Sequence, residues 1–180
     1  NKYDLMVVIS GPETQRTVFE KLVLRQLKHT HLKFLMVRGT VEGEEEAFQN
    51  TNYSLFPHLE TQDMYRAMLE SKIILSRPGY STIMDLAAAG KKAIFVPTPG
   101  QTEQEYLAKR LFDKGLFYNE KQKNFNLERA INRASAFTGF EKMASHAGLA
   151  SRESSGSTPL ASATCPSVSA GRTRTIGWSR

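Results

Sequence analysis

Over the first 140 residues, short apolar and β-branched runs alternate with longer amphipathic segments. A run of four to six apolar residues with no polar alternation is typical of a strand buried on both faces. Strands that alternate with helices form βαβ units, so the pattern predicts an α/β fold with a doubly wound parallel sheet. The expected strands are residues 5–10, 34–37, 53–56, 73–76 and 93–96, and the expected helices are residues 15–27, 64–70, 81–89, 103–114 and 127–137.

The composition changes after Met143, where Ser, Thr, Ala, Gly and Arg replace the alternating pattern. This stretch has few large apolar side chains and cannot bury enough surface to offset its ordering entropy. We therefore expect one domain over residues 1–140 and a Ser- and Arg-rich tail over residues 141–180 that is disordered or non-native. Because the chain opens almost directly on a buried run, we also expect a fragment with sequence missing upstream.

Charge and composition argue against several classes of protein. The net charge of +6 suggests an anionic partner, but half of it belongs to residues 141–180, so nucleic acid is not an expected partner of the domain. No apolar run approaches the ~18 residues that cross a bilayer. Cys165 is the single cysteine and the four histidines are scattered, so we expect no metal site and a reducing, cytoplasmic setting.

Three loops lead from an expected strand into an expected helix: residues 10–16, 77–82 and 97–104. Ligands of doubly wound sheets bind at this edge, where free N–H groups and the helix dipole attract phosphate. Each loop contains Gly, Ser or Thr, which suits a phosphate but is also common in ordinary connecting loops. The glycines are not followed by a Walker lysine and form no Gly-x-Gly-x-x-Gly, so ATPases and dinucleotide enzymes are poor matches.

The loop at residues 77–82 and the helix after it hold several candidate binding residues. Gly79 leaves room for a ligand, and Ser81 or Thr82 either caps the helix or donates a hydroxyl to a phosphate oxygen. Asp85, expected in the first turn, either accepts hydrogen bonds from a ribose diol or serves helix stability alone. The guanidinium of Arg77 is expected at the edge of the sheet, where it meets either a diphosphate or a nearby carboxylate.

The other two loops also carry polar side chains. In the first, Glu13 and Arg16 are spaced to form an ion pair. In the third, amides and carboxylates surround the helix start; they suit the hydroxyls of a sugar, and a solvated helix start is the alternative. The residues concerned are Gln101, Glu103, Gln104 and Glu105.

The run at residues 76–90 reads SRPGYSTIMDLAAAG, and AIFVP follows at residues 93–97, with Gln104 beyond it. The pattern Arg-x-Gly-x-x-Thr-x-x-Asp-Leu, then Gly and a strand ending in Val-Pro, resembles the C-terminal, donor-binding domain of family 28 glycosyltransferases. These form the MurG-like group of the GT-B fold. The resemblance extends more weakly over residues 5–136 and implies the Rossmann-like half of that fold.

The resemblance implies a role for each matching residue. Asp85 stands where the family binds the ribose hydroxyls of a UDP-sugar, and residues 77–82 stand where backbone N–H groups wrap the diphosphate. Gln104 matches a glutamine that contacts the donor sugar. The expected donor-binding residues are Ser10, Gly11, Arg77, Gly79, Tyr80, Ser81, Thr82, Asp85, Gln101 and Gln104.

This chain departs from the family pattern in several places. Pro78 stands where the family usually has a small residue. Asp85 stands where the family more often has Glu, and Glu105 where it frequently has a second Gln. The histidine often found before the sugar-binding glutamine is absent, and the first loop has fewer glycines. These departures leave the donor sugar open, with UDP-N-acetylglucosamine as the leading candidate.

The resemblance implies the donor-binding half of an enzyme that transfers a hexose or N-acetylhexosamine from a UDP-sugar to an unknown acceptor. The reaction would be inverting and metal-independent, with the UDP-sugar as co-substrate and no cofactor. In GT-B enzymes the acceptor and the usual catalytic base belong to the N-terminal domain. We therefore expect this chain to be inactive alone and to need a missing or separate acceptor-binding domain, through which any peripheral membrane association would come. The alternative is a non-catalytic nucleotide-sugar-binding module.

Overall fold

A seven-stranded sheet organises the computed structural model, which describes residues 1–40, 48–49 and 51–140. The strands are β1 (Tyr3–Val8), β2 (Phe34–Val37), β3 (Phe48–Gln49), β4 (Tyr53–Phe56), β5 (Ser71–Ser76), β6 (Lys92–Phe95) and β7 (Tyr118–Asn119). They lie in the order β3-β4-β2-β1-β5-β6-β7. All neighbours from β4 to β7 pair in parallel, and only β3 pairs antiparallel, with β4. The tail predicted for residues 141–180 lies outside the described residues.

Helices cover both faces of this sheet. They are α1 (Gln15–Leu27), α2 (Thr61–Glu70), α3 (Tyr80–Ala89), α4 (Thr102–Asp113) and α5 (Leu127–Ala134), and a 3₁₀ turn at Gln122–Asn124 precedes α5. On one face, α1 and α5 contribute Phe19 and Ala130 to the core; on the other, α2, α3 and α4 contribute Met68, Leu86 and Ala108. The predicted doubly wound parallel sheet is confirmed.

Burial on both faces explains why the strands show no polar alternation. In β1, Leu5 and Val7 pack with α1 and α5, whereas Met6 packs with the helices of the opposite face. All three side chains are fully buried. Because successive side chains of a strand point to opposite faces, a strand between two helical layers needs apolar residues at every position.

Helix α1 has the predicted bounds, but its buried face differs from the one that its apolar spacing predicts, which comprises Val18, Phe19, Leu22 and Leu24; of these, only Phe19 is fully buried. Phe19, Val23 and Leu27 recur at every fourth position and form the stripe that faces the sheet. Val18, predicted to belong to that face, is 50% exposed, because one position along a helix is a rotation of about 100°. The other two predicted members lie partly buried at the margin of the cluster: Leu22 and Leu24.

Short elements and helix ends account for the remaining differences. Strands β3 and β7 were not predicted; each is two residues long and exists through pairing with β4 or β6 rather than through a pattern of its own. Helix α5 ends at Ala134 instead of residue 137, because the N–H groups of Ala136 and Phe137 donate to carbonyls only three residues back. Gly90, which directly follows the predicted last residue of this helix, is the C-cap of α3 and lies in the left-handed region.

A glycine after β2 is required by both its backbone conformation and its surroundings. Gly39 has a φ of 66°, and a Cβ added there would lie 2.5 Å from the carbonyl oxygen of Ile9. Gly115 has a similar φ of 68° but no atom within 4 Å of such a Cβ. We expect Gly39→Ala to lower the free energy of unfolding by about 3 kcal/mol and the control Gly115→Ala by about 1 kcal/mol, since only the first adds a clash. Urea denaturation measures both, and equal losses would contradict the prediction.

Asp4 links the first strand to its two neighbours at the amino edge of the sheet. Its carboxylate accepts hydrogen bonds from the Lys72 ammonium at 2.6 Å and from the Lys33 backbone N–H at 3.0 Å. The bond from Lys72, and then that from Lys33, hold the pKa of Asp4 below its usual range.

The lowered pKa of Asp4 predicts a pH-dependent contribution to stability. Because the folded-state pKa is lower than the unfolded one, the stabilisation is complete above the ordinary value, about 4, and is lost as the pH falls through the folded value. Asp4→Asn should therefore be less stable than wild type by up to about 1 kcal/mol near pH 7, with the difference shrinking below about pH 4. Urea denaturation of both proteins at pH 7 and pH 3 tests this. The same difference in the free energy of unfolding at both pH values would contradict the prediction.

Candidate functional site

The three predicted binding loops come together at the carboxyl edge of β1, β5 and β6. These strands are neighbours in the sheet, and the Val96 N–H extends the β5–β6 pairing by donating to the Ser76 carbonyl at 3.0 Å. A Cβ added to Gly11 would lie 3.7 Å from Oγ1 of Thr98, so the first and third loops are in contact. Ser10 and Gly11 are both exposed there. The strand order changes direction between β1 and β5, which is where doubly wound folds bind their ligands.

Helix α3 begins with an open N-terminus. Gly79 is the N-cap residue, in extended conformation, and no side chain caps the helix. The predicted capping by Ser81 or Thr82 is wrong, because the helix begins at Tyr80 and both residues already lie inside its first turn. The first N–H groups of a helix have no acceptor within it, so those of α3 are available to an anion at this edge. Tyr80 is 71% exposed beside them.

Asp85 lies in the second turn of α3 and not, as expected from the sequence, in the first turn. The helix begins at Tyr80, one residue before the expected start, so Asp85 is not a first-turn acid that stabilises the helix dipole. It shares the exposed face of α3 with Ser81, four residues before it. Its carboxylate has no hydrogen bond or ion pair within the described residues and keeps both oxygens available to a ligand. Its predicted binding to a ribose diol remains a prediction.

Gln101 and Gln104 form a hydrogen-bonded pair whose amide orientations are determined by one backbone donor. The Thr98 N–H can only donate, so the atom it contacts at 2.8 Å is Oε1 of Gln104. The Gln104 Nε2 then donates to Oε1 of Gln101 at 2.6 Å. Because each amide oxygen already accepts a hydrogen bond, the unused hydrogen-bonding capacity of the pair is mainly N–H donation, which suits acceptor oxygens of a sugar.

The guanidinium of Arg77 lies inside the protein rather than at the surface. The residue is only 2% exposed, and of the two alternatives for it, a diphosphate or a carboxylate, no carboxylate pairs with it in the part of the chain that the structure describes. Its Nη1 donates to the carbonyls of Val96 at 2.7 Å and Pro97 at 3.0 Å, and its Nη2 to Oε1 of Gln122 at 2.5 Å. The guanidinium carbon lies 4.0 Å from the centre of the Phe19 ring. Burial lowers the pKa of Arg77 to about 10, so it is cationic at neutral pH.

Sequence reasoning missed two residues at this edge. Gln122, in the 3₁₀ turn, is buried and also donates from Nε2 to Oε1 of Gln15 at 3.4 Å. Thr98 is buried, and its hydroxyl has no hydrogen-bond partner within the described residues. Gln122 belongs to a short polar segment far from the motif, and no local pattern indicates its contact with Arg77.

Glu13 and Arg16 in the first loop form the predicted ion pair. The Thr17 hydroxyl also donates to Glu13, at 2.9 Å, and Arg16 also donates to the Arg38 carbonyl at 3.1 Å. The bond from Arg16, and then that from Thr17, hold the pKa of Glu13 below its usual range. The pair thus ties the β1–α1 loop to the end of β2.

Two further findings concern the described part of the chain only. No three His, Cys, Asp or Glu side chains come close enough there to hold a metal ion. None of the helices described combines the length and the apolar character that crossing a bilayer requires.

The fold and the motif together correspond to a known family of domains. Residues 6–157 match the family model described as "Glycosyltransferase family 28 C-terminal domain". The chain belongs to this family, as its motif at residues 76–90 indicated.

Individual relatives agree with this assignment. A UDP-N-acetylglucosamine--N-acetylmuramyl-(pentapeptide) pyrophosphoryl-undecaprenol N-acetylglucosamine transferase of Sulfurihydrogenibium sp. is 27% identical over 131 residues, which are 71% of this chain and 36% of that protein. An enzyme of the same name from Actinobacillus pleuropneumoniae serotype 5b is 28% identical, with 71% and 37% covered. The chain therefore spans little more than a third of the length of these curated relatives.

Solved structures show the same fold. MurG of Acinetobacter baumannii superimposes with a TM-score of 0.54 at 25% identity, covering 75% of this chain and 42% of that one. The structure of ALG13 has a TM-score of 0.51 at 12% identity, a likeness of fold alone. The match covers 81% of this chain and 93% of that one.

Proposed function

We propose that this chain is the donor-binding half of a metal-independent glycosyltransferase that uses a UDP-sugar carrying a hexose or N-acetylhexosamine. The observation that carries the proposal is the open N-terminus of α3 beside the exposed Asp85, at the edge where the three loops meet. The names of the relatives, which are UDP-N-acetylglucosamine transferases, support the same class of donor.

The diphosphate of the donor would lie at the N-terminus of α3. The N–H groups of Tyr80, Ser81 and Thr82 and the helix dipole stabilise negative charge at this place, and Gly79 lets a phosphate approach the backbone. During transfer, the bond between the anomeric carbon and the diphosphate oxygen breaks and its electron pair stays on that oxygen. Donors aimed at the developing charge lower the barrier to this step without a metal ion.

The rest of the donor would be recognised by side chains around this point. The free carboxylate of Asp85 can accept a hydrogen bond from each hydroxyl of a ribose. The amide N–H groups of Gln101 and Gln104 would donate to oxygens of the sugar. Ser10 and Gly11, on the other side of the crevice, would contact the phosphates.

The acceptor and the catalytic base would belong to a second domain, either upstream in the same chain or on a separate protein. The short span relative to the whole relatives supports this division. The chain alone would bind donor without transferring sugar, in the cytoplasm, and any peripheral association with a membrane would come through the other half. The alternative remains a module that binds nucleotide sugars without catalysis; transfer activity in the full-length parent or the two-chain complex would exclude it.

Calorimetric titration of the full chain with UDP, UDP-N-acetylglucosamine and ADP tests donor binding. We expect both uridine nucleotides to bind more tightly than ADP. Asp85→Ala should weaken UDP binding roughly 10- to 100-fold, because hydrogen bonds to a charged group contribute about 1.5–3 kcal/mol.

The matched control is Asp113→Ala, which removes an exposed aspartate at the far end of α4. It should leave UDP affinity unchanged. Equal binding of ADP and UDP, or equal affinities of the Asp85→Ala variant and wild type, would contradict the proposal.

A further inference from the structure

The contacts of Arg77 connect segments that are far apart in sequence. Besides Val96 and Pro97 at the end of β6, its guanidinium donates to Gln122 and, at 3.5 Å, to the carbonyl of Gln15. These partners belong to the β6–α4 loop, the 3₁₀ turn and the start of α1. Arg77 itself begins the β5–α3 loop. One side chain therefore holds four segments at the carboxyl edge.

All the hydrogen-bond acceptors of Arg77 are uncharged. No carboxylate forms an ion pair with it within the described residues, and its buried charge is compensated by carbonyl and amide oxygens and by the Phe19 ring. A charge-assisted hydrogen bond to a fixed carbonyl restrains that carbonyl strongly. The consequence is a β6–α4 loop whose first two carbonyls are held from inside the protein.

The restraint extends to Gln101 and Gln104, the pair proposed to recognise the sugar. Thr98 follows Pro97, and its N–H belongs to the same peptide unit as the Pro97 carbonyl that Arg77 binds. That N–H holds Gln104, which in turn holds Gln101. The path from the buried guanidinium to the half-buried amides thus consists of one peptide plane and two hydrogen bonds.

We propose that Arg77 is a positioning residue for donor recognition: its buried guanidinium fixes the peptide between Pro97 and Thr98 and so orients the amides of Gln104 and Gln101. Its side chain does not touch the donor. The expected effect on donor affinity rests on the proposed function, whereas the restraint of Thr98 and Gln104 can be measured without a ligand.

The structural part is tested by amide hydrogen exchange and by the NMR signals of the Gln104 side-chain amide in the full chain. Arg77→Lys keeps the charge but cannot reproduce a planar fork that donates in several directions. We expect the Thr98 amide to exchange at least about tenfold faster in this variant and the Gln104 signal to move. Arg38→Lys is the control, because it also replaces a guanidinium by an ammonium. The Arg38 guanidinium donates to Glu20 at 2.6 Å, on the far side of β1. This substitution should change neither the exchange rate of Thr98 nor the signal of Gln104.

A second pair of variants keeps the inference testable if Arg77→Lys fails to fold. Gln122→Met removes one acceptor of Arg77, whereas Gln122→Glu retains an acceptor at the same position. We expect Gln122→Met to accelerate exchange at Thr98 and Gln122→Glu to preserve its protection. Unchanged protection in Arg77→Lys and Gln122→Met alike would overturn the proposal.

The functional part is tested by a double-mutant cycle read as the ratio of the affinities for UDP-N-acetylglucosamine and UDP. Gln104→Ala and Arg77→Lys should each change this ratio in the same direction by about five- to tenfold. The double variant should show no further change, because both substitutions remove one recognition element. Additive effects would show that Arg77 acts independently of Gln104 and would overturn the proposal.

Failure of wild type to bind either ligand would refute the proposed function instead, and the exchange measurements would still decide whether Arg77 positions Gln104.

Discussion

Parallel pairing around β1 determines where the other parts of the domain lie. Each parallel neighbour requires a connection that passes over one face of the sheet, and β1, β4, β5 and β6 each lead into a helix at the same edge. The helix N-termini, with their unpaired N–H groups, are therefore concentrated at the carboxyl edge. Because α1 and α3 lie on opposite faces, the loops after β1 and β5 diverge and leave the crevice in which the candidate site is built.

The crevice is organised by polar contacts beneath it as well as by loops around it. Arg77 is buried without a carboxylate partner in the described residues, an arrangement that is costly unless oxygens accept from its guanidinium. The carbonyls of Val96 and Pro97 and the amide of Gln122 accept from Nη1 and Nη2, Phe19 supplies the face of its ring, and Nε has no partner within the described residues. The same contacts connect the apolar core under α1 to the loop that holds Gln104, so packing of the core and geometry of the site depend on each other.

Each polar group at the carboxyl edge suits a different part of a ligand because of its own chemistry. Backbone N–H groups at α3 offer positive partial charge without a mobile side chain, which suits a diphosphate leaving group. Asp85 offers acceptors alone, and the Gln101–Gln104 pair offers mainly donors. A nucleotide sugar presents the complementary set of groups: phosphates, a ribose diol and sugar oxygens. In the proposed site, specificity for the sugar would depend on how firmly the two amides are held.

The sequence by itself determined the layered architecture, the bounds of α1 and the position of the motif at residues 76–90, because these depend on local periodicity and on residue types at fixed spacing. Contacts between segments distant in sequence were decided only by the tertiary structure. The exposure of Val18, the missing cap at Ser81 and the burial of Arg77 depend on which neighbours pack against them. Gln122 lies 45 positions from Arg77, and only the folded sheet brings its amide within hydrogen-bond distance of the guanidinium. Side-chain partners are selected by three-dimensional packing, whose information is spread over the whole chain rather than contained in any one segment.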